Sequence, residues 1–185
     1  MNKKIITGKN YSKIPHLSNS KLGKSDRFIE SNQEYYLTVK KKHPNSLVIV
    51  TEKYDGSNVG IVKQNGEIFA ITKSGYCAST SPYRQHHIFY EWVMKRKRFF
   101  KGLLCEGHRM VGEWLYQAHG LKYNILSSDP IVFFDYFDEK NQAMPFSFLQ
   151  NLGFATPRVL HIGNAISVED LISDLNKKDP RFKSS

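Results

Sequence analysis

The chain has 185 residues, of which 40% are hydrophobic and 13% aromatic; this excludes a disordered protein and is enough for one domain with a good core. A formal net charge of +10 argues for an anionic partner, with nucleic acid the leading class. No run is long and apolar enough for a transmembrane helix, the N-terminus has no apolar signal core, and Cys77 and Cys105 lack metal-type spacing, so free thiols in the cytoplasm are expected.

Residues 1–33 are polar, basic and rich in turn formers, and read as an irregular arm. Leu47 to Glu52 reads as a strand. Val59 to Lys63 and Glu67 to Lys73 read as a hairpin around Gln64-Asn65-Gly66, because Asn-Gly supplies the positive φ that such turns need. Pro82 to Phe100 reads as one helix with Ile88, Trp92 and Val93 on one face. Met110 to Leu115 and Ile131 to Phe137 read as buried strands. Phe146 to Leu152 reads as a short helix ended by Gly153. Ala155 to His161 reads as a strand, placed at an edge by Pro157. Ser167, with Asp170 at the capping-box position, starts a last helix over Val168 to Lys178, and Asp179-Pro180 stops it.

The segment Glu52-Lys53-Tyr54-Asp55-Gly56-Ser57-Asn58 stands out. A lysine ends an apolar strand and a tight Asp-Gly turn follows, where Gly56 allows close backbone approach to a ligand. An amine attacks phosphorus only when unprotonated, and lysine is almost wholly protonated at neutral pH. Desolvation and nearby cations lower its pKa, and magnesium or basic side chains stabilise the charge that builds on phosphate oxygens. A surface lysine before a hairpin turn is the plain alternative for so short a pattern.

Lys-x-Asp-Gly resembles the motif of the covalent nucleotidyltransferases, which comprise DNA ligases, RNA ligases and mRNA capping enzymes. Three further segments stand in matching order. Thr72-Lys73-Ser74-Gly75-Tyr76 lies where RNA ligases carry a cation for phosphate, Val111-Gly112-Glu113-Trp114-Leu115-Tyr116 resembles a Gly-Glu strand motif, and Ile131-Val132-Phe133-Phe134-Asp135-Tyr136-Phe137-Asp138 resembles the motif whose aromatic residue stacks on the purine. Taken alone, each also fits an ordinary strand or strand end. Ser57-Asn58 is similar to the Thr-Asn of the RNA ligase 2 type, whereas DNA ligases and capping enzymes usually have arginine at the position of Asn58. Lys13-Ile14-Pro15-His16-Leu17 and the Glu113 segment look like those of small RNA-ligase-domain proteins of bacteria and phages, and the resemblance runs from about Tyr11 to the end of the chain.

The resemblance implies an α+β fold: one antiparallel-sheet nucleotidyltransferase (adenylation) domain of the ATP-grasp-like ligase type over residues 1–185, the basic arm included. It implies that Lys53 takes AMP from ATP, that Glu52 reads the adenine and that Phe134 stacks on it. Tyr54, Asn58, Lys73 and Glu113 would contact the nucleotide, and Glu113 with Asp55 would hold Mg2+ or Mn2+. The implied substrate is RNA with 5′-phosphate and 3′-hydroxyl ends, in RNA repair. The family's two later motifs, a Glu-Gly strand and phosphate-contacting lysines, find no match after the last helix, where Lys177, Lys178 and Lys183 lack the context. A C-terminally shortened domain is therefore expected, which fits a truncated product, one half of an enzyme split with a second chain, or a relative acting as a nucleotide- and RNA-binding module. Gly23-Lys24-Ser25 is not a P-loop, since Ser18 occupies the place of the leading glycine. His86-His87 forms no zinc pattern, and Lys95-Arg96-Lys97-Arg98 reads first as a solvated helix end.

Overall fold

Asn65 and Gly66 take φ angles of 52° and 72°, the left-handed pair that a two-residue hairpin turn requires. That turn joins two of the strands in the computed structural model, which describes residues 3–117 and 129–178. In chain order the elements are α1 (Ser31–Thr38), β1 (Val48–Thr51), β2 (Ser57–Gln64), β3 (Glu67–Thr72), a 3-10 turn (Ala78–Thr80), α2 (Arg84–Lys95), α3 (Lys97–Leu103), β4 (Arg109–Trp114), β5 (Ile131–Phe137), α4 (Phe146–Gln150), β6 (Val159–Gly163) and α5 (Val168–Lys178). They form two compact units, each assembled from two stretches of chain. The larger unit holds Met1–Ser12 and Lys53–Pro157, and the smaller holds Lys13–Glu52 and Arg158–Ser185.

In the larger unit a four-stranded sheet has the order β3-β2-β4-β5, with every neighbouring pair antiparallel. Strand alternation gives the sheet two distinct faces. One face carries Val59 and Ile61 of β2, which join Phe89, Trp92 and Val93 of α2, Phe100 of α3 and Leu149 of α4 in a single core. Phe100 is wholly buried, stacks on Phe154 at 5.9 Å and meets Trp92 at 5.7 Å. The other face carries Asn58, Gly60 and Val62 of β2, opposite Glu113, Val111 and Arg109 of β4. Part of this face is covered by the N-terminal segment: Ile5 N–H donates to Gly75 O at 3.0 Å and Asn10 N–H to Lys73 O at 2.8 Å.

The smaller unit pairs β1 with β6, placing Ile49 opposite Ile162, both exposed. Glu52 N–H donates to Arg158 O at 2.9 Å and extends this pairing by one bond. Ser167 caps α5 as expected: its Oγ accepts from Asp170 N–H at 3.0 Å and donates to the Asp170 carboxylate at 2.8 Å. The stop expected at Asp179-Pro180 lies outside the described residues.

Two expected elements differ, and one helix is additional. The single helix over Pro82 to Phe100 is two helices, broken at Arg96, whose φ of −110° and ψ of 14° leave the helical region. Its guanidinium reaches Asp129 Oδ1 at 2.7 Å and lies 4.3 Å over the Trp92 ring. The strand expected over Ala155 to His161 begins only at Val159, because Pro157 has no N–H for a ladder. Helix α1 was not anticipated within or after the arm. It buries no residue and lacks a side-chain cap, and its Glu34 accepts from Ser18 N–H at 3.1 Å and Ser18 Oγ at 2.8 Å.

Truncating the ring at the centre of the larger core tests this packing. Phe100→Ala should cost about 3–5 kcal/mol. Urea unfolding should then show a lower midpoint at an unchanged slope.

Candidate functional site

The site is built on the sheet face away from the helices. Lys53 opens the larger unit as an exposed residue, and Asp55 beside it is also exposed. The chain then turns at Gly56, whose N–H donates to Glu113 Oε1 at 3.0 Å. A Cβ at Gly56 would lie 2.5 Å from the Trp114 carbonyl oxygen, so only glycine lets the lysine turn sit this close to β4. Two residues later Asn58 lies directly opposite Glu113. Thr72, the last residue of β3, pairs with Val59, so alternation turns the next residue, Lys73, to the face of Asn58.

Glu113 is half-buried, and burial pushes its carboxyl above the ordinary glutamate range. The Gly56 N–H, Lys53 and Lys73 pull it down, and the Asp55 charge pushes it up. Glu113 thus feels the charges of Lys53, Asp55 and Lys73. Phe134 lies on β5, beyond β4, beside the bulge where pairing shifts between Val111 and Gly112. Its ring meets Tyr11 edge-on with centroids 5.0 Å apart. Tyr54 is half-buried between Lys53 and Asp55. Glu52 belongs to the smaller unit.

Beyond Lys73 a cleft of about 300 Å³ opens in the larger unit. It is lined by Asn58, Lys73, Tyr76, Ser81, Tyr83 and His86, among others. The Ser81 hydroxyl meets His86 Nδ1 at 2.6 Å, and burial, then the neighbouring His87, hold His86 below the ordinary histidine range. The basic run at the α2–α3 junction is partly neutralised: Arg96 pairs with Asp129, and Lys97 and Lys101 pair with Glu67.

Sequence reading missed the residues that support this face from the N-terminal segment. The Tyr11 hydroxyl donates to Asp135 Oδ2 at 2.6 Å. Arg109 Nε donates to Asn10 O at 3.2 Å, and its guanidinium lies 4.2 Å over the Phe137 ring. Burial, then the Asp135 carboxylate, drive the Tyr11 phenol well above its usual range. The visible signal was Asp135 itself, a lone carboxylate inside an aromatic strand.

A metal ion bound here would find two carboxylates, Asp55 and Glu113, close enough to interact electrostatically. Among the described residues no cluster of three or more metal-type side chains occurs. Two carboxylates suit a hard cation that takes its remaining ligands from water and substrate phosphates, so the residues fit such an ion.

The RNA ligase family model matches residues 46–181. Two solved structures share the fold. An archaeal ATP-dependent RNA ligase is 20% identical with a TM-score of 0.52, over 80% of this chain and 40% of its own. A Naegleria gruberi RNA ligase K326A mutant, solved with ATP and Mn, is 16% identical with a TM-score of 0.53, over 77% of this chain and 42% of its own. The chain therefore spans about two-fifths of the length of these structures. No curated protein sequence matches it.

Glu113 gives a pH test. The folded state holds its proton more tightly than the unfolded chain does, so its contribution to stability is fully present in acid and is lost as pH rises through its raised pKa. Glu113→Gln keeps an acceptor for Gly56 and removes that loss. The Tm difference, variant minus wild type, should grow from acid to neutral pH, and a difference flat with pH would contradict the assignment. Gly56→Ala should lower Tm as well, because a backbone carbonyl occupies the space of the new methyl.

Proposed function

This chain belongs to the RNA ligase family, and from that premise we propose that Lys53 is the nucleophile of an ATP-dependent ligation. The observation that carries the proposal is the lysine turn itself: the Gly56 N–H donates to Glu113, which feels the charges of Lys53, Asp55 and Lys73, with Asn58 directly opposite it. In the first step the Lys53 Nζ lone pair attacks the α-phosphorus of ATP. The bond to the bridging oxygen of the β-phosphate breaks, pyrophosphate leaves, and the amine gives its proton to solvent. Lys73 would stabilise the charge that builds on the phosphates. A divalent ion, Mg2+ or Mn2+, would be held by Glu113 and Asp55 and would supply charge neutralisation at the phosphates. Asn58 and Tyr54 would contact the nucleotide, Phe134 would stack on the adenine, and Glu52, the chain neighbour of Lys53, would read its amino group.

In the second step an RNA 5′-phosphate oxygen takes the AMP and frees Lys53. Attack by an RNA 3′-hydroxyl then forms the phosphodiester and releases AMP. The family membership and the charge of +10 support RNA as the substrate.

Incubation with ATP and Mg2+ followed by intact-protein mass measurement is the test. Wild type should gain the mass of one AMP, and Lys53→Ala should gain none. A folded wild type that binds ATP and never forms the adduct would sink the catalytic reading and favour a nucleotide-binding module.

A further inference from the structure

Asn10 has 0% exposure and is the one polar residue in the buried class among the described residues. Its backbone is already secured: its N–H donates to Lys73 O at 2.8 Å, and its carbonyl accepts from Arg109 Nε at 3.2 Å. The side-chain amide therefore is not needed to anchor the segment. Its Nδ2 donates to Asn58 Oδ1 at 3.3 Å, and its own Oδ1 has no partner. A buried acceptor without a donor costs stability.

Room for this amide is made by a second sacrifice. Gly60 sits in the middle of β2, paired with Ile71 on one side and Val111 on the other. A Cβ at Gly60 would overlap the Asn10 amide. Glycine inside a strand weakens it, so both the strand and the core give up stability to bring one amide against Asn58.

We infer that Asn10 is a positioning residue that fixes the side-chain amide of Asn58 from beneath. With Oδ1 of Asn58 engaged by Asn10, the two N–H donors of Asn58 are left for a ligand in the cleft that Asn58 lines beside Lys73. The same residue ties the backbone of Lys73, so two groups assigned to the nucleotide share one support from an N-terminal segment 48 residues before Asn58. The catalytic part of this inference rests on Asn58 contacting the nucleotide; the orientation of Asn58 does not.

Asn10→Leu tests it, because it fills similar space, removes the donor to Asn58 and removes the unpaired acceptor. The first readout is independent of activity. In the ¹⁵N-labelled chain the side-chain amide pair of Asn58, identified by its loss in Asn58→Ala, should shift or broaden in Asn10→Leu while Tm is retained. An unchanged pair would overturn the proposal. The second readout is a cycle of wild type, Asn10→Leu, Asn58→Ala and the double variant, scored by the rate of AMP adduct formation and, on a Lys53→Ala background, by ATP affinity in calorimetry. Asn10→Leu should slow adduct formation roughly tenfold and should have no further effect once Asn58 is alanine. Multiplying effects would show that Asn10 acts through general stability and would overturn it. If Asn10→Leu fails to fold, Asn10→Ala takes its place in both readouts. A wild type with neither ATP binding nor adduct would refute the functional reading, and the amide signals would still decide the positioning claim.

Discussion

Across β2 and β4, Asn58 lies opposite Glu113 and Gly60 opposite Val111, and this register is what the site depends on. Because side chains alternate, a slip of one residue would turn Asn58 toward the helices and bring Val59 out to the ligand face. The Gly56–Glu113 bond would be lost with it, and so would the place of the lysine turn. Two things hold the register. Val59 and Ile61, both at 0% exposure, pin one face in the aromatic core. Gly60, which has space for the Asn10 amide and no side chain of its own, pins the other.

Both faces of the sheet are therefore covered, but with opposite chemistry. The helix side is aromatic and apolar, with Phe89, Trp92 and Trp114 in mutual contact and Phe100 against Trp92. The ligand side is closed at one end by a polar knot of Tyr11, Asp135 and Arg109. Burial raises the Asp135 carboxyl against the pull of Tyr11 and Arg109, and burial lowers the Arg109 guanidinium against the Asp135 charge. Such a group is costly to bury unless its members satisfy one another. Here Tyr11 bonds Asp135, while Arg109 bonds Asn10 O and Asn141 Oδ1.

The parts legible in the sequence were those set by local chemistry. Asn65-Gly66 announces its hairpin through its backbone preferences and Ser167 with Asp170 starts α5, whereas α4, expected to run to Leu152, already ends at Gln150, ahead of the left-handed Gly153. The antiparallel fold and the family followed from the lysine turn and the order of the motifs around it. What stayed hidden depends on distant partners. Strand β2 is buried at four successive positions, Val59 to Val62, because two layers cover it, so no alternation marks its ligand face. Asn10 looks like any loop asparagine until the sheet closes over it. The break at Arg96 answers to Asp129, 33 residues away, and α1 is held partly by Ser18. The cleft residues Ser81, Tyr83 and His86 carry no pattern of their own, since a two-residue His pair says nothing about which ring is buried.

The bond from Tyr11 to Asp135 spans 124 residues of sequence. On the ribosome the N-terminal segment is made first, yet its partners on β4 and β5 are among the later parts of the larger unit to emerge. The segment must wait with its amide and phenol in water while the hairpin of β2 and β3 forms by local contacts, and closing so long a loop is a slow event. The lysine turn can thus be synthesised, and even paired, well before the face that would receive a nucleotide is complete. The bonds of this segment to Asn58 and Lys73 can close once β2 and β3 have paired, whereas the Tyr11 phenol stays unpartnered until Asp135 of β5 arrives.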